Sequence, residues 1–166
     1  MAKFRVLFVC TGNTCRSPMA EGGLRVLLEG RNITSIEVSS AGTAAAPGCP
    51  ATHYAQEATK TWHADISSHH SRPITPELLE ESDLILTLTP SHYREVVTVC
   101  PDARPYTFLL KKFPEPGDEG EGVADPIGGS LDMYNQTFLE IGEELGRMLE
   151  DIIEMAGQKG IGKEND

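Results

Sequence analysis

The chain lacks any long hydrophobic run, and it is poor in cations. Nowhere in its 166 residues does an apolar stretch approach the roughly 20 residues that cross a bilayer. The N-terminus carries no signal-peptide pattern, so a cytoplasmic protein with no membrane partner is expected. Lys and Arg number 14 against 25 Asp and Glu, a formal net charge of −11, which argues against nucleic acid as a partner. An acidic exterior favours cationic protein partners instead. There are only four cysteines, and a chain of this length buries its core without disulfides. No Cys/His spacing suits zinc, so neither a metal nor another cofactor is expected. The adjacent His69-His70 pair, in a Ser-rich stretch, reads as a solvated turn. Repeats are absent, as is any sign of a second domain. One domain over residues 1–156 is therefore expected, followed by a disordered tail over 157–166. The sequence does not set an oligomeric state.

What is present is concentrated in Phe4–Pro18, FRVLFVCTGNTCRSP. Phe4–Val9 is an apolar, partly β-branched run that stops at a cysteine and reads as a buried strand. Gly12 and Asn13 tolerate positive φ and supply a tight turn. Ser17 can cap a helix that Pro18 starts, and Ala20, Leu24, Leu27 and Leu28 mark its apolar face. The segment is strand, small loop, helix.

That arrangement has chemical consequences. Successive loop N–H groups and a helix N-terminus together make an anion-binding nest. Arg16 adds a planar fork matched to two oxygens of a phosphate. Cys10 sits at the mouth of this positive cradle, which should pull its thiol well below about 8.5 and make it a nucleophile for phosphoryl transfer. The alternative reading of Cys10 alone is a buried structural cysteine ending a strand.

The stretch VCTGNTCRSPMAE resembles the phosphate loop of the low-molecular-weight protein phosphatases. The resemblance implies Cys10 as nucleophile and Arg16 as clamp on the phosphate and the transition state. Thr11, Gly12, Asn13, Thr14, Cys15 and Ser17 would form the substrate cradle, with Asn13 shaping the loop and Ser17 stabilising the thiolate. Ser40 would brace the loop through Asn13; read without the family, it is an ordinary strand-end serine. Cys10 and Cys15 are close enough in sequence to suggest a reversible disulfide.

Downstream, strands and helices alternate. Strands are expected at Ile36–Val38, with 39–42 as a turn, at Leu84–Leu88 and at Tyr106–Leu110. Helices are expected around Ala51–Trp62, from Thr75-Pro76, from Thr89-Pro90 to Val97, and over Tyr134–Ile152 with Gly157 ending the last. This gives an α/β fold: an open parallel four-stranded sheet with helices on both faces, flavodoxin-like as in the low-molecular-weight phosphatases. Ligands in such sheets sit beyond the strands' C-terminal ends, where Cys10 falls. The Pro/Gly-rich acidic stretch Lys111–Val123 reads as a solvated, mobile loop.

Phosphoryl transfer through a cysteine needs a proton donor for the leaving group and then a base for water. A single Asp-Pro is ordinary turn chemistry, but the resemblance implies Asp125 as that acid and base. DPIGGSLDMYNQT is similar to the bacterial protein-arginine phosphatase branch, and Thr14 points the same way. Ile127 departs from that branch, which tends to carry an aromatic after Asp-Pro. A phosphoprotein phosphatase acting on phosphoarginine is thus expected, with arginine-rich surfaces as substrate partners and phosphotyrosine as the alternative. A thioredoxin-coupled arsenate reductase would need two relay cysteines, and Cys49 and Cys100 have no paired spacing. A non-catalytic phosphate-binding module is the third reading; it would be expected to have lost the cysteine or the acid.

Overall fold

The structure, a computed structural model, describes residues 3–164. Phe4–Cys10 forms β1, the second strand of a four-stranded parallel sheet. α1 follows at Arg16–Gly30, then β2 at Ile36–Gly42 and α2 at His53–Thr59. α3 spans Pro76–Glu81, β3 Leu84–Thr87, α4 Pro90–Val99, β4 Thr107–Leu109 and α5 Leu131–Glu164. The sheet order is β2-β1-β3-β4, and every pairing is parallel.

Side chains alternate across β1. Phe4, Val6 and Phe8 join one core with Met19 and Leu24 of α1 and Phe138, Ile141 and Leu145 of α5. Leu7 and Val9 point the other way, into a core with Leu79 of α3, Ile85 of β3 and Val96 of α4. Burial on both faces explains why the strand reads as an unbroken apolar run. The chain winds from β1 to β2 and then back to β3 on the opposite side. The crevice at the C-terminal ends of β1 and β3 is therefore the switch point where ligands bind. Thr75 and Thr89 cap α3 and α4, each accepting a backbone N–H three residues on. Among the described residues no helix is long and apolar enough to cross a membrane.

Three expectations are corrected. Ser39–Gly42 is strand and not turn: Leu7, Phe8, Val9 and Cys10 pair with Ser39, Ser40, Ala41 and Gly42. Ladder bonding to a central strand outweighs the turn preference of Ser and Gly. Next, α5 does not stop at Gly157 but continues to Glu164. A helical glycine costs only about 1 kcal/mol relative to alanine. Ile153, Met155 and Ala156 keep the helix on the core, and Lys159 reaches Asp83 at 2.6 Å. The expected disordered tail is thus helical over 157–164, while residues 165–166 lie outside the described residues.

The acidic loop is also tied down at both ends. Phe113 and Val123 are fully buried. Arg147 of α5 donates to the carbonyls of Leu110 and Phe113 at 2.9 and 2.6 Å. Lys111 pairs with Glu140, and Lys112 reaches the Glu119 carbonyl at 2.9 Å. Only its middle, including Glu119 and Glu121, faces solvent. Arg147→Ala strands two carbonyls and should cost about 2 kcal/mol, lowering the melting temperature by roughly 5 °C. A thermal melt of the variant checks this.

Candidate active site

The loop leaving β1 turns over Asn13, whose φ of 59° is left-handed; asparagine is one of the few side chains that adopts this region readily. Asn13 is fully buried. Its Nδ2 donates to Ser17 Oγ at 2.8 Å and to Ser40 Oγ at 2.9 Å. Its Oδ1 accepts the Arg72 N–H at 3.0 Å. The Asn13 carbonyl lies 2.7 Å from His69 Nε2, and since a carbonyl only accepts, that nitrogen carries the proton. His69 is therefore half-buried and braces the loop, which corrects its reading as a solvated turn; His70 is exposed as expected. Gly42 completes the seat, because a Cβ there would lie 2.3 Å from the Thr11 carbonyl oxygen. Gly42→Ala should displace the loop and cut turnover at least about 10-fold, read as kcat on an aryl phosphate.

Ser17 does not cap α1. The helix starts at Arg16, with Cys15 in the capping position and no capping side chain. Its hydroxyl lies instead 2.9 Å from Cys10 Sγ. Because Ser17 Oγ already accepts from Asn13, its own hydrogen is free to point at the sulfur. Burial pushes the Cys10 thiol up, against the Ser17 hydroxyl and N–H, the Arg16 charge and the Asn13 N–H, which all pull it down. The expectation of a depressed thiol overlooked how deeply the sulfur is sunk: Cys10 is 2% exposed.

Arg16 is buried and triply held. Nη1 donates to the Val123 carbonyl at 2.9 Å, and Nη2 to Thr11 Oγ1 at 3.3 Å. Nη2 also lies 3.4 Å from Asp125 Oδ2. The other Asp125 oxygen accepts the Ile127 N–H at 3.1 Å, an Asx turn that aims the carboxylate. Cys10, Gly12, Asn13, Thr14, Cys15, Arg16, Asp125 and Ile127 line one pocket. The sequence candidates thus converge from two segments more than 100 residues apart. Thr11, Ser17 and Ser40 lie outside the lining; Ser17 and Ser40 are buried, whereas Thr11 is exposed at the rim.

The family of low molecular weight phosphotyrosine protein phosphatases matches residues 5–158. The chain belongs to that family. It is similar to the protein-arginine-phosphatase of Bacillus subtilis (strain 168), 43% identical over 144 residues that cover 87% of this chain and 93% of that protein. The arsenate reductase 1 of Staphylococcus haemolyticus is 33% identical over 154 residues, 92% of this chain and all of that protein. Among solved structures, the YwlE arginine phosphatase with a phosphorylated active-site serine superposes with a TM-score of 0.81. It is 37% identical and covers 90% of this chain and 95% of that one. The low molecular weight protein tyrosine phosphatase from T. tengcongensis gives 0.82 at 38% identity, covering 90% and 99%.

The phosphatase site also contains groups that sequence reasoning passed over. His92, on the first turn of α4, is 3% exposed. Its Nε2 is 2.8 Å from Thr11 Oγ1 and its Nδ1 3.0 Å from Thr89 Oγ1. Burial and the Arg16 charge lower its pKa to about 4, opposed by Asp125. The available signal was positional: His92 follows a strand whose C-terminal end borders Cys10. Tyr134, expected only as a packing residue, contacts Cys15 Sγ at 3.3 Å through its hydroxyl. Burial and that hydrogen bond push its pKa up to about 12.

His92 carries a prediction for acid stability. An unfolded histidine titrates near 6.5 and this one near 4. Between those values the unfolded chain binds more protons, so stability is complete above about pH 6.5 and falls toward pH 4, by about 3 kcal/mol. Urea melts between pH 4 and 7 should show a shallower slope for His92→Gln than for wild type.

Proposed function

We propose that this phosphatase hydrolyses phosphorylated protein side chains, phosphoarginine ahead of phosphotyrosine, through a phosphocysteine on Cys10. The observation that carries the reading is the convergence of the Cys10 sulfur, the Arg16 fork and the Asp125 carboxyl on one pocket. Cys10 attacks phosphorus as its thiolate, the form that Ser17, Arg16 and the loop N–H groups favour against burial, while the bond to the leaving nitrogen or oxygen breaks and protonated Asp125 supplies the leaving group's proton. The resulting Asp125 carboxylate takes a proton from water, whose oxygen attacks the phosphocysteine. Inorganic phosphate leaves and the cysteine is regenerated. Arg16 and the loop N–H groups of Gly12–Cys15 hold the phosphoryl oxygens, where charge accumulates. Ser17, through its hydroxyl, and Asn13, tied to Ser40, keep sulfur and loop in place.

Substrate preference draws on the pocket's rim. Thr14 is small and polar there, leaving room beside a guanidino carbon where a branched aliphatic would pack on a phenyl ring. Asp125 has 39% of its side chain exposed and can pair with a guanidinium, while Ile127, 63% exposed, offers an apolar wall. The relatives named as arginine phosphatases support the same choice. We extend the reading to a single catalytic domain working in the cytoplasm on cationic, arginine-rich phosphoproteins. The arsenate-reductase alternative finds no relay here: Cys49 and Cys100 do not line the pocket, and Cys100 is buried in the core beneath α4. Cys49→Ser and Cys100→Ser should keep phosphatase turnover.

The test is kcat/KM on phosphoarginine and phosphotyrosine peptides of matched sequence, for wild type and Thr14→Ile. Preference for phosphoarginine that collapses in the variant is expected. A phosphotyrosine preference unmoved by the change would reverse the substrate assignment.

A further inference from the structure

Both nitrogens of the Arg16 fork trace back to one short segment at the end of β3. Nη1 donates to the Val123 carbonyl, and the Val123 N–H in turn donates to Leu88 O at 2.8 Å. Nη2 donates to Thr11 Oγ1, which contacts His92 Nε2 at 2.8 Å. His92 is itself fixed at its other nitrogen by Thr89, the residue that caps α4. A guanidinium only donates, so Thr11 Oγ1 must accept from Arg16 and keeps one lone pair and one hydrogen for the imidazole. With its pKa lowered to about 4 by burial and the Arg16 charge, the ring is neutral at pH 7, so one of its nitrogens donates and the other accepts. It can bridge the two threonine hydroxyls without leaving either unsatisfied. It forms no hydrogen bond with the Cys10 sulfur, whose partner is Ser17, and does not line the pocket.

We propose that His92 is a positioning residue for phosphoryl transfer, holding the Arg16 fork in its productive plane through the Thr11 hydroxyl. This rests on the reading of Cys10–Arg16 as a phosphoryl-transfer site. A bidentate clamp works only when both nitrogens meet their oxygens together, and that alignment matters most as charge develops on the equatorial oxygens. Loss of His92 therefore weakens transition-state binding more than ground-state binding. The device also separates two functions of the loop. Asn13, Ser17 and Ser40 set the sulfur, whereas Thr11 and His92 set the arginine.

The experiment measures p-nitrophenyl phosphate turnover and inorganic vanadate inhibition for six proteins. These are wild type, His92→Leu, His92→Gln, His92→Asn, Thr11→Val and the Thr11→Val/His92→Leu double variant, each checked for folding by circular dichroism. His92→Leu should lower kcat about 10-fold and weaken vanadate by a similar factor, with KM changing less than about 3-fold. Glutamine reaches the Nε2 position and should recover most of the loss; asparagine reaches only the Nδ1 position and should not. Thr11→Val should match His92→Leu, and the double variant should be no worse than either single one. Iodoacetamide labelling of Cys10 should slow far less than kcat in His92→Leu, because Arg16 keeps its charge beside the sulfur and loses only its alignment, which separates an effect on the Arg16 fork from general damage. Unchanged kcat and vanadate inhibition in folded His92→Leu, or equal impairment by Gln and Asn, would overturn the proposal while leaving the phosphatase reading intact. If wild type itself turned over no aryl phosphate, that reading would fail. Vanadate binding by calorimetry, about 10-fold weaker in His92→Leu and restored in His92→Gln, would still support His92 as the holder of Arg16.

Discussion

Arg16→Lys should lower kcat on an aryl phosphate by about 10³-fold, although the charge is kept. Lysine is a point charge on a flexible stem, so it cannot reach two phosphoryl oxygens in one plane. It also cannot span the Val123 carbonyl, Thr11 and Asp125, all of which the arginine engages at once. Each lost charge-assisted hydrogen bond in a buried site is worth about 1.5–3 kcal/mol, and two of them account for the loss. KM should rise much less, because the bonds count most in the transition state. Steady-state kinetics decide it: a loss confined to KM would show that Arg16 only gathers substrate.

Asp125→Asn should lower kcat by about 10²–10⁴-fold, and the loss should depend on the leaving group. A nitrophenolate leaves without a proton, so the first step survives and phosphocysteine should accumulate, because no base activates water. A phosphoarginine peptide, whose guanidino nitrogen needs the proton, should stall before that intermediate forms. Rapid-quench mass measurement of the protein with each substrate distinguishes the two. Equal occupancy with both would remove Asp125 from the acid role.

The parts of this site that could be read in the sequence are those contiguous in it. Cys10, Arg16 and the turn between them fall within one strand-loop-helix unit, so local propensity and nest chemistry were sufficient. Asp125 lies more than 100 residues downstream in an ordinary Asp-Pro, and only the family resemblance singled it out. His69 was misread as solvated, and Arg72 and His92 went unread, because their partners are reached through the fold: the Asn13 carbonyl, the Asn13 side chain and Thr11. The parallel four-stranded sheet was legible from apolar runs alternating with helical segments, whereas its strand order came from the structure. The ends of the elements were less so, because ladder pairing extends β2 and core packing carries α5 through Gly157. The thiol was misjudged for a related reason. The donors around Cys10 can be guessed from composition and turn type, but the depth of its burial cannot.

Ser17 offers a check on how those donors compete with burial. Ser17→Ala removes the hydroxyl that points at the sulfur, leaving burial less opposed. Cys10 alkylation by iodoacetamide should therefore need a higher pH, with the rate at pH 7 falling several-fold.

The most direct test of the account is to quench the reaction within milliseconds of adding ³²P-labelled phosphoarginine peptide and find the labelled residue. A phosphocysteine at Cys10, absent in Cys10→Ser along with all turnover, is the expected result. Label on another residue, or turnover that survives Cys10→Ser, would contradict it.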